Sequence, residues 1–384
     1  MIILSAFLLL ISVSYAALLL FYRNAWNRIP SYHSADNSIK ISLISVIIPA
    51  RNEAENLPAL IRDLQLQQLP AECFEVLIID DHSSDSTPEI VKRAGGNIRL
   101  VMLADHIVEP VIAYKKKAIE TAISIASGNI IVTTDADCRL KPGWLKSIAA
   151  YFAAYSCEFL VMPVATTQPK NFFETFQALD FMSLQGITGA ALQNKWHYMC
   201  NGANLAYLRD TFYKVNGFEG IDKIASGDDM LLMEKVASVN KDGIHYLKSS
   251  EVIVETAAAP NIRAFLRQRA RWAGKTSHYK NHNTTLVLLF VYVLNAAIVI
   301  TPLVAFLFRT RLTGSWQFFV ISWLLSLTIK TLAEMYFLQP VAKFFNRSAM
   351  MKLFPLAQPF HIVYTVFAGF LGMLGKQDWK GRRV

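Results

Sequence analysis

An α/β domain with a mostly parallel sheet, flanked by transmembrane helices, is the architecture this sequence predicts, and three observations carry it. Between residues 43 and 257, apolar runs alternate with helix-like stretches, and each run ends in a polar loop. Strands buried on both faces read as continuous apolar runs, the pattern of a parallel sheet covered by helices. Residues 2–22 carry no charge, and long apolar runs return after residue 283. The composition, 53% apolar and 17% charged, is too apolar for an ordinary soluble chain.

Taken in order, residues 1–22 form an N-terminal transmembrane helix long enough to cross about 30 Å of hydrocarbon. The basic residues Arg23, Arg28 and Lys40 follow the run instead of preceding it. That order describes an uncleaved anchor with its following domain in the cytosol, and a bacterial inner (cell) membrane is the expected location. Residues 23–42 are a linker. The domain at 43–257 then gives I-S-V-I-I-P before N-L-P-A-L-I-R-D-L, and V-L-I-I-D before T-P-E-I-V-K-R-A. N-I-R-L-V-M-L precedes K-A-I-E-T-A-I-S-I-A, and N-I-I-V-T-T-D precedes K-P-G-W-L-K-S-I-A-A-Y-F. The loops beginning at Ala50, Asp80 and Asp135 all fall at the carboxyl ends of strands, where such sheets bind ligands.

Residues 258–283 read as an interfacial amphipathic helix, with Ile262, Phe265, Leu266, Arg269 and Trp272/Ala273 forming one stripe beside a basic face. Residues 284–375 hold transmembrane or interface helices in three runs, Thr284–Phe308, Trp316–Leu338 and Leu353–Leu374, and 376–384 is a basic tail. Lys330 and Glu334 are an i, i+4 pair, read as structural pairing inside a bundle. Three full spans after a cytosolic domain would place the basic tail outside, against the positive-inside tendency. Either the proline-containing last run re-enters, or one run lies in the interface. The net charge of +9 comes without a nucleic-acid motif, so anionic lipid, not nucleic acid, is the expected partner. The four cysteines have neither metal-site spacing nor a disulfide framework.

Chemistry concentrates at the strand ends. Asp135 and Asp137 are separated by one residue, so on extended chain both carboxylates share a side. They suit Mg²⁺ or Mn²⁺, whose remaining ligands are commonly water and phosphate. Pro49-Ala-Arg-Asn-Glu53, Asp80-Asp81 and Lys115-Lys116-Lys117 add hydrogen-bonding carboxylates and cations, the parts of a nucleotide-diphosphate pocket. The acids out to Asp85 read as its nucleoside edge. Taken alone, a D-x-D is more often a solvated turn and a lysine run a solvated helix end. Ser226-Gly-Asp-Asp229 places two acids at a helix start, where one suffices as a cap and the second is available as a general base.

The ordered set P-A-R-N-E, D-D-H-S-S-D, D-A-D, G-D-D-M-L-L and Q-R-A-R-W resembles membrane-bound glycosyltransferase family 2. The closest likeness is to its Q-x-x-R-W branch of cellulose, chitin and hyaluronan synthases and ceramide glucosyltransferases. The resemblance covers roughly residues 43 to 280 and implies a GT-A fold with inverting transfer from a nucleotide-sugar, commonly a UDP-sugar. It implies that Glu53 and Asp81 contact the nucleoside, and that Asp135 and Asp137 hold ribose, diphosphate and metal, Asp137 being the firmer metal ligand. Asp229 would be the base; the family's Glu-Asp pair stands here as Asp228-Asp229, so Asp228 remains a candidate. Gln268, Arg271 and Trp272 would close the donor site, with Lys115 beside it. Cys200, Asn201 and Gly202, together with Trp272, would face the acceptor, a lipid or a cell-envelope glycan. Rival readings are a processive synthase that also translocates its polymer, a non-catalytic sugar-nucleotide scaffold, and a transporter built on Lys330 and Glu334.

Overall fold

The computed structural model describes residues 2–33, 42–107, 111–224, 226–307 and 316–373, with two short pairs, 378–379 and 382–383, in the tail. The rest of the basic tail lies outside the described residues. The first helix, α1 (Ile2–Arg28), runs six residues past the expected end of the anchor. The domain then opens with β1 (Ile44–Ala50), α2 (Leu57–Gln65), β2 (Phe74–Asp80), α3 (Thr87–Ala94) and β3 (Ile98–Met102). Next come α4 (Tyr114–Ile125), β4 (Ile130–Thr133), β5 (Cys138–Arg139), α5 (Trp144–Ala154), β6 (Phe159–Val161), β7 (Val164–Thr166) and α6 (Phe172–Gln193). It continues through β8 (Leu205–Leu208), α7 (Arg209–Lys214), α8 (Met230–Asn240), β9 (Ile244–Tyr246) and β10 (Val254–Thr256). The last helices are α9 (Ile262–Gly274), α10 (His282–Leu307), α11 (Trp316–Phe344) and α12 (Phe354–Met373).

The main sheet has the order β3-β2-β1-β4-β8-β6-β9. β1 pairs in parallel with β2 and β4, β2 with β3, and β6 with β9, while β8 runs antiparallel between β4 and β6. Ile44, Val46, Ile47 and Ile48 of β1 are all buried, as a central strand covered on both faces requires. A small sheet, β5-β10-β7, closes one side of the cleft. Local sequence sets several helix starts. Asn171 accepts from the Glu174 N–H while Glu174 accepts from the Lys170 N–H, an N-terminal clasp for α6, and Asn261 caps α9 through the Ala264 N–H.

Among the described residues, four helices are long and apolar enough to cross a membrane: Ile2–Arg28, His282–Leu307, Trp316–Phe344 and Ser348–Gly372. They do not stand apart from the domain. The core that holds Phe159, Tyr207 and Leu232 also holds Tyr15, Tyr22 and Trp26 of α1 and Phe337 and Val341 of α11. Trp26 is fully buried between Tyr246 of β9 and Phe344 of α11, and a Cβ on Gly189 would lie 2.8 Å from its ring. Tyr22 Oη and His197 Nε2 share a hydrogen bond of 2.6 Å. The expected linker therefore begins later, because residues 23–28 continue the helix and pack on the domain. Lys330 and Glu334 pair at 2.6 Å inside the bundle, and Tyr15 and Gln358 also donate to Glu334. That carboxylate thus ties Lys330 of its own helix to Tyr15 of α1 and Gln358 of α12, a structural arrangement.

Candidate active site

The carboxyl ends of β1, β2 and β4 open into one cleft of about 250 Å³. It is lined by Glu53, Asp81, Lys115, Asp135, Asp137, Asn201, Gly202, Asp228, Asp229, Gln268, Arg271 and Trp272. The structure thus brings together all but one of the expected site residues. Cys200 is the exception: it packs against the core beside the cleft, where burial and the nearby Asp229 and Asp228 carboxylates raise its thiol pKa well above the usual value.

Lys115 is the hub. Its ammonium donates to Asp135 Oδ1 at 2.8 Å and lies 3.0 Å from Asp228 Oδ2. Burial opposes its charge, but these carboxylates outweigh it and hold the pKa well above lysine's ordinary value. Asp228 is likewise kept below the usual carboxylate range, burial being overcome by Lys115 and Lys275. The three lysines that open α4 diverge: Lys117 pairs with Glu120, Lys116 turns inward, and Lys115 alone reaches the cleft.

Asp229 does the capping that was expected of one acid. Its Oδ1 accepts from the Met230 N–H at 2.7 Å and its Oδ2 from the Gly202 N–H at 3.1 Å. A carboxylate offers about four lone-pair positions, so these bonds orient the group without exhausting it. Gly202 sits close to both groups: a Cβ there would lie 3.2 Å from Asp228 Oδ2 and 3.4 Å from Lys115 Nζ, so a side chain would press on the ends of both. Asn204, further along the same loop, is structural, donating to the Pro163 and Val252 carbonyls and accepting from Trp144 Nε1.

The acids after β2 divide their work. Asp81 faces the cleft, with His82 Nδ1 at 2.9 Å and the Arg51 guanidinium at 3.8 Å. Asp80 instead is buried and accepts from the Ser83 N–H, and Asp85 accepts from the Ala54 and Thr87 N–H groups. The expected nucleoside edge therefore narrows to Asp81, the one of these three acids that lines the cleft. Glu53 also lines the cleft and accepts from Asn56 Nδ2 at 2.7 Å.

Asp137 carries a Thr256 hydroxyl 3.5 Å from its Oδ2. Asp135 already receives a cation, the Lys115 ammonium. Asp135 and Asp137 both line the cleft, and such a pair of carboxylates suits a Mg²⁺ or Mn²⁺ ion that takes its other ligands from water and phosphate.

Gln268, Arg271 and Trp272 enter from α9. Arg271 is partly buried, and among the described residues no carboxylate pairs with it. Burial lowers its pKa, against the pull of Asp135, Asp228 and Asp229. Such a guanidinium, facing a cleft unneutralised, is built to meet an anion. Arg269 was read into a membrane-facing stripe, and the structure corrects this. It is buried, donating to Asp180 Oδ2 at 2.9 and 2.7 Å and to Gln268 Oε1 at 2.9 Å, while its guanidinium lies 4.2 Å from the Trp272 ring. Tyr364 of α12 also donates to Asp180. Ile262, at 65% exposure, is the part of that stripe that remains outward.

Removing one partner of such a buried pair strands the other charge. Asp180→Asn is expected to destabilise the protein by about 3–5 kcal/mol. The pair Asp180→Leu/Arg269→Met is expected to recover most of that loss, read by thermal unfolding in detergent.

Sequence reasoning missed Lys275, which lines the cleft 3.9 Å from Asp229 Oδ1. Its position four residues after Arg271, on the same helical face, was the available signal. It also missed Gln177, which pins the loop at Ala259 by a pair of hydrogen bonds. No sequence pattern announces that contact.

Residues 45–215 match the model of the family described as glycosyl transferase family 2. An undecaprenyl-phosphate 4-deoxy-4-formamido-L-arabinose transferase of Yersinia pestis is 28% identical over 156 residues, 40% of this chain and 46% of that protein. Glycosyltransferase AglE of Haloferax volcanii is 32% identical over 109 residues, 28% of this chain and 34% of that protein. The chain thus spans under half the length of these curated relatives. The mannosyltransferase PcManGT of Pyrobaculum calidifontis, solved with GDP-Man and Mn²⁺, superposes with a TM-score of 0.59 at 20% identity over 93% of this chain and 99% of that one. That likeness is one of fold, the GT-A fold.

Proposed function

We propose, from the premise that this chain carries a family 2 glycosyltransferase domain on a GT-A fold, that it is a membrane-bound inverting glycosyltransferase. It moves a sugar from a nucleotide-diphospho-sugar, a UDP-sugar by preference, to a lipid or cell-envelope glycan acceptor. The observation that carries this reading is the cleft in which Lys115 bridges Asp135 and Asp228 while an unpaired Arg271 faces the same space.

In this reading Glu53 and Asp81 hold the nucleoside, and Arg271, Lys115 and Gln268 position the diphosphate. Asp137 and Asp135 are the residues that would hold Mg²⁺ or Mn²⁺, which when bound screens charge on the leaving diphosphate. Asp229 takes the proton of the acceptor hydroxyl, its carboxylate fixed by the Gly202 and Met230 N–H groups. Direct displacement at the anomeric carbon forms the new glycosidic bond, breaks the bond to the diphosphate and inverts the configuration. Asn201, Gly202 and Trp272 border the acceptor's approach, with Cys200 behind them. The four helices long and apolar enough to cross a membrane support a membrane location, and we assign the domain to its cytosolic side. The name of the Yersinia relative, an undecaprenyl-phosphate sugar transferase, supports an acceptor carried in the lipid.

Nucleoside diphosphate release from a panel of nucleotide-sugars tests this, using the whole protein in detergent with Mn²⁺ or Mg²⁺. The expected result is metal-dependent release from one donor, abolished by EDTA and by Asp137→Ala. If no donor in the panel is either bound or hydrolysed, the enzyme reading fails.

A further inference from the structure

Lys116 is used by none of the chemistry above. It is 2% exposed, and its ammonium donates to the main-chain carbonyls of Ile221 at 2.6 Å and Ile224 at 2.8 Å. Among the described residues no carboxylate pairs with it directly. Burial lowers its pKa to about 8, against the pull of Asp228 and Asp229. An ammonium is costly to bury, and one retained in this way has to be satisfied by what it holds.

What it holds is the approach to the two acids. Among the described residues between Lys214 and Met230 there is neither a regular helix nor a strand, and the backbone bends through left-handed conformations at Gly217, Gly220 and Gly227. Within this stretch the Ile221 N–H bonds the Phe218 carbonyl and the Ile224 N–H the Ile221 carbonyl, so that the second lone pair of Ile221 and the carbonyls of Gly217, Glu219 and Ile224 take other donors. Lysines supply them. Lys235 of α8 donates to the Gly217 and Glu219 carbonyls, and Lys116 to the two nearest the acids.

We propose that Lys116 is a positioning residue that ties the turn at Ile221 and Ile224 to α4, so that Asp228 and Asp229 stay aimed into the cleft. Because Lys115 is the preceding residue, one turn of α4 fixes both the cation that bridges the acids and the chain that delivers them. The inference rests on the reading of Asp229 as the base.

The test compares Lys116→Met with Lys235→Met in the whole protein in detergent. It measures kcat, donor affinity, melting temperature and amide hydrogen exchange at residues 219–224. Lys116→Met is expected to lower kcat by about 10- to 100-fold, the scale of a small misplacement of a reacting group. Donor affinity and melting should stay near wild type while exchange at 219–224 rises; Lys235→Met should leave kcat unchanged. A folded Lys116→Met with wild-type kcat, or one whose kcat falls without faster exchange there, overturns the proposal. Should Lys116→Met not fold, Lys116→Gln, which keeps an N–H donor, takes its place. If neither folds, the lysine is a determinant of the whole fold and the proposal is also overturned. Asp229→Asn measured alongside separates the two ideas: full activity there removes the base reading, and the exchange data then decide the anchor alone.

Discussion

Asp229→Asn is expected to lower turnover by about 10²–10⁴-fold, the usual contribution of a positioned general base, with nucleotide-sugar affinity nearly unchanged. The geometry refines the expectation. An amide has one accepting oxygen, and the shorter of the two existing bonds, 2.7 Å to the Met230 N–H, keeps it. The NH₂ group then faces the Gly202 N–H, donor against donor, so the loop at 201–203 also loosens and the KM for acceptor rises. Asp228→Asn should behave differently. It removes one of the two carboxylates that hold Lys115, so its main effect falls on donor KM. Steady-state kinetics on both variants checks this, and the opposite pattern would move the base to Asp228.

Arg271→Ala is expected to be the second large loss, about 10²–10³-fold in kcat, the scale seen when a preorganised donor to transition-state charge is removed. The structural reason is that Arg271 lines the cleft and, among the described residues, forms no direct ion pair with a carboxylate, so its guanidinium is open to an anion. Its neighbour Arg269 has the same side chain but is committed to Asp180. Arg271→Lys should recover little, since an ammonium cannot present the planar fork that meets phosphate oxygens in pairs. Single-turnover kinetics with saturating donor would check it. An unchanged rate would remove Arg271 from the reaction.

Much of this arrangement was legible in the sequence, because the local rules that write it are strong. Apolar runs ending in polar loops marked strands β1, β2 and β4 and put their loops at one edge of the sheet. The antiparallel insertion of β8 was not legible, since a four-residue strand carries no mark of direction. At the site, motif residues converged as expected, but the division of labour among like residues did not show. Asp80, Asp81 and Asp85 look equivalent on paper, and only folding spends two of them on backbone N–H groups. Arg269 and Arg271 are two positions apart, about 200° around the helix, and their fates diverge because Asp180 lies 89 residues away in sequence.

Trp26 closes the argument about the anchor. A hydropathy profile treats the first helix as a greasy post, replaceable by any apolar run of equal length. The structure shows a fitted part: an indole seated against Gly189, Tyr246 and Phe344, with Tyr22 bonded to His197 one turn before it. A substitute post of the same hydropathy would leave that socket vacant. Exchange of this helix for another apolar run is therefore limited by shape, even where hydropathy is the same.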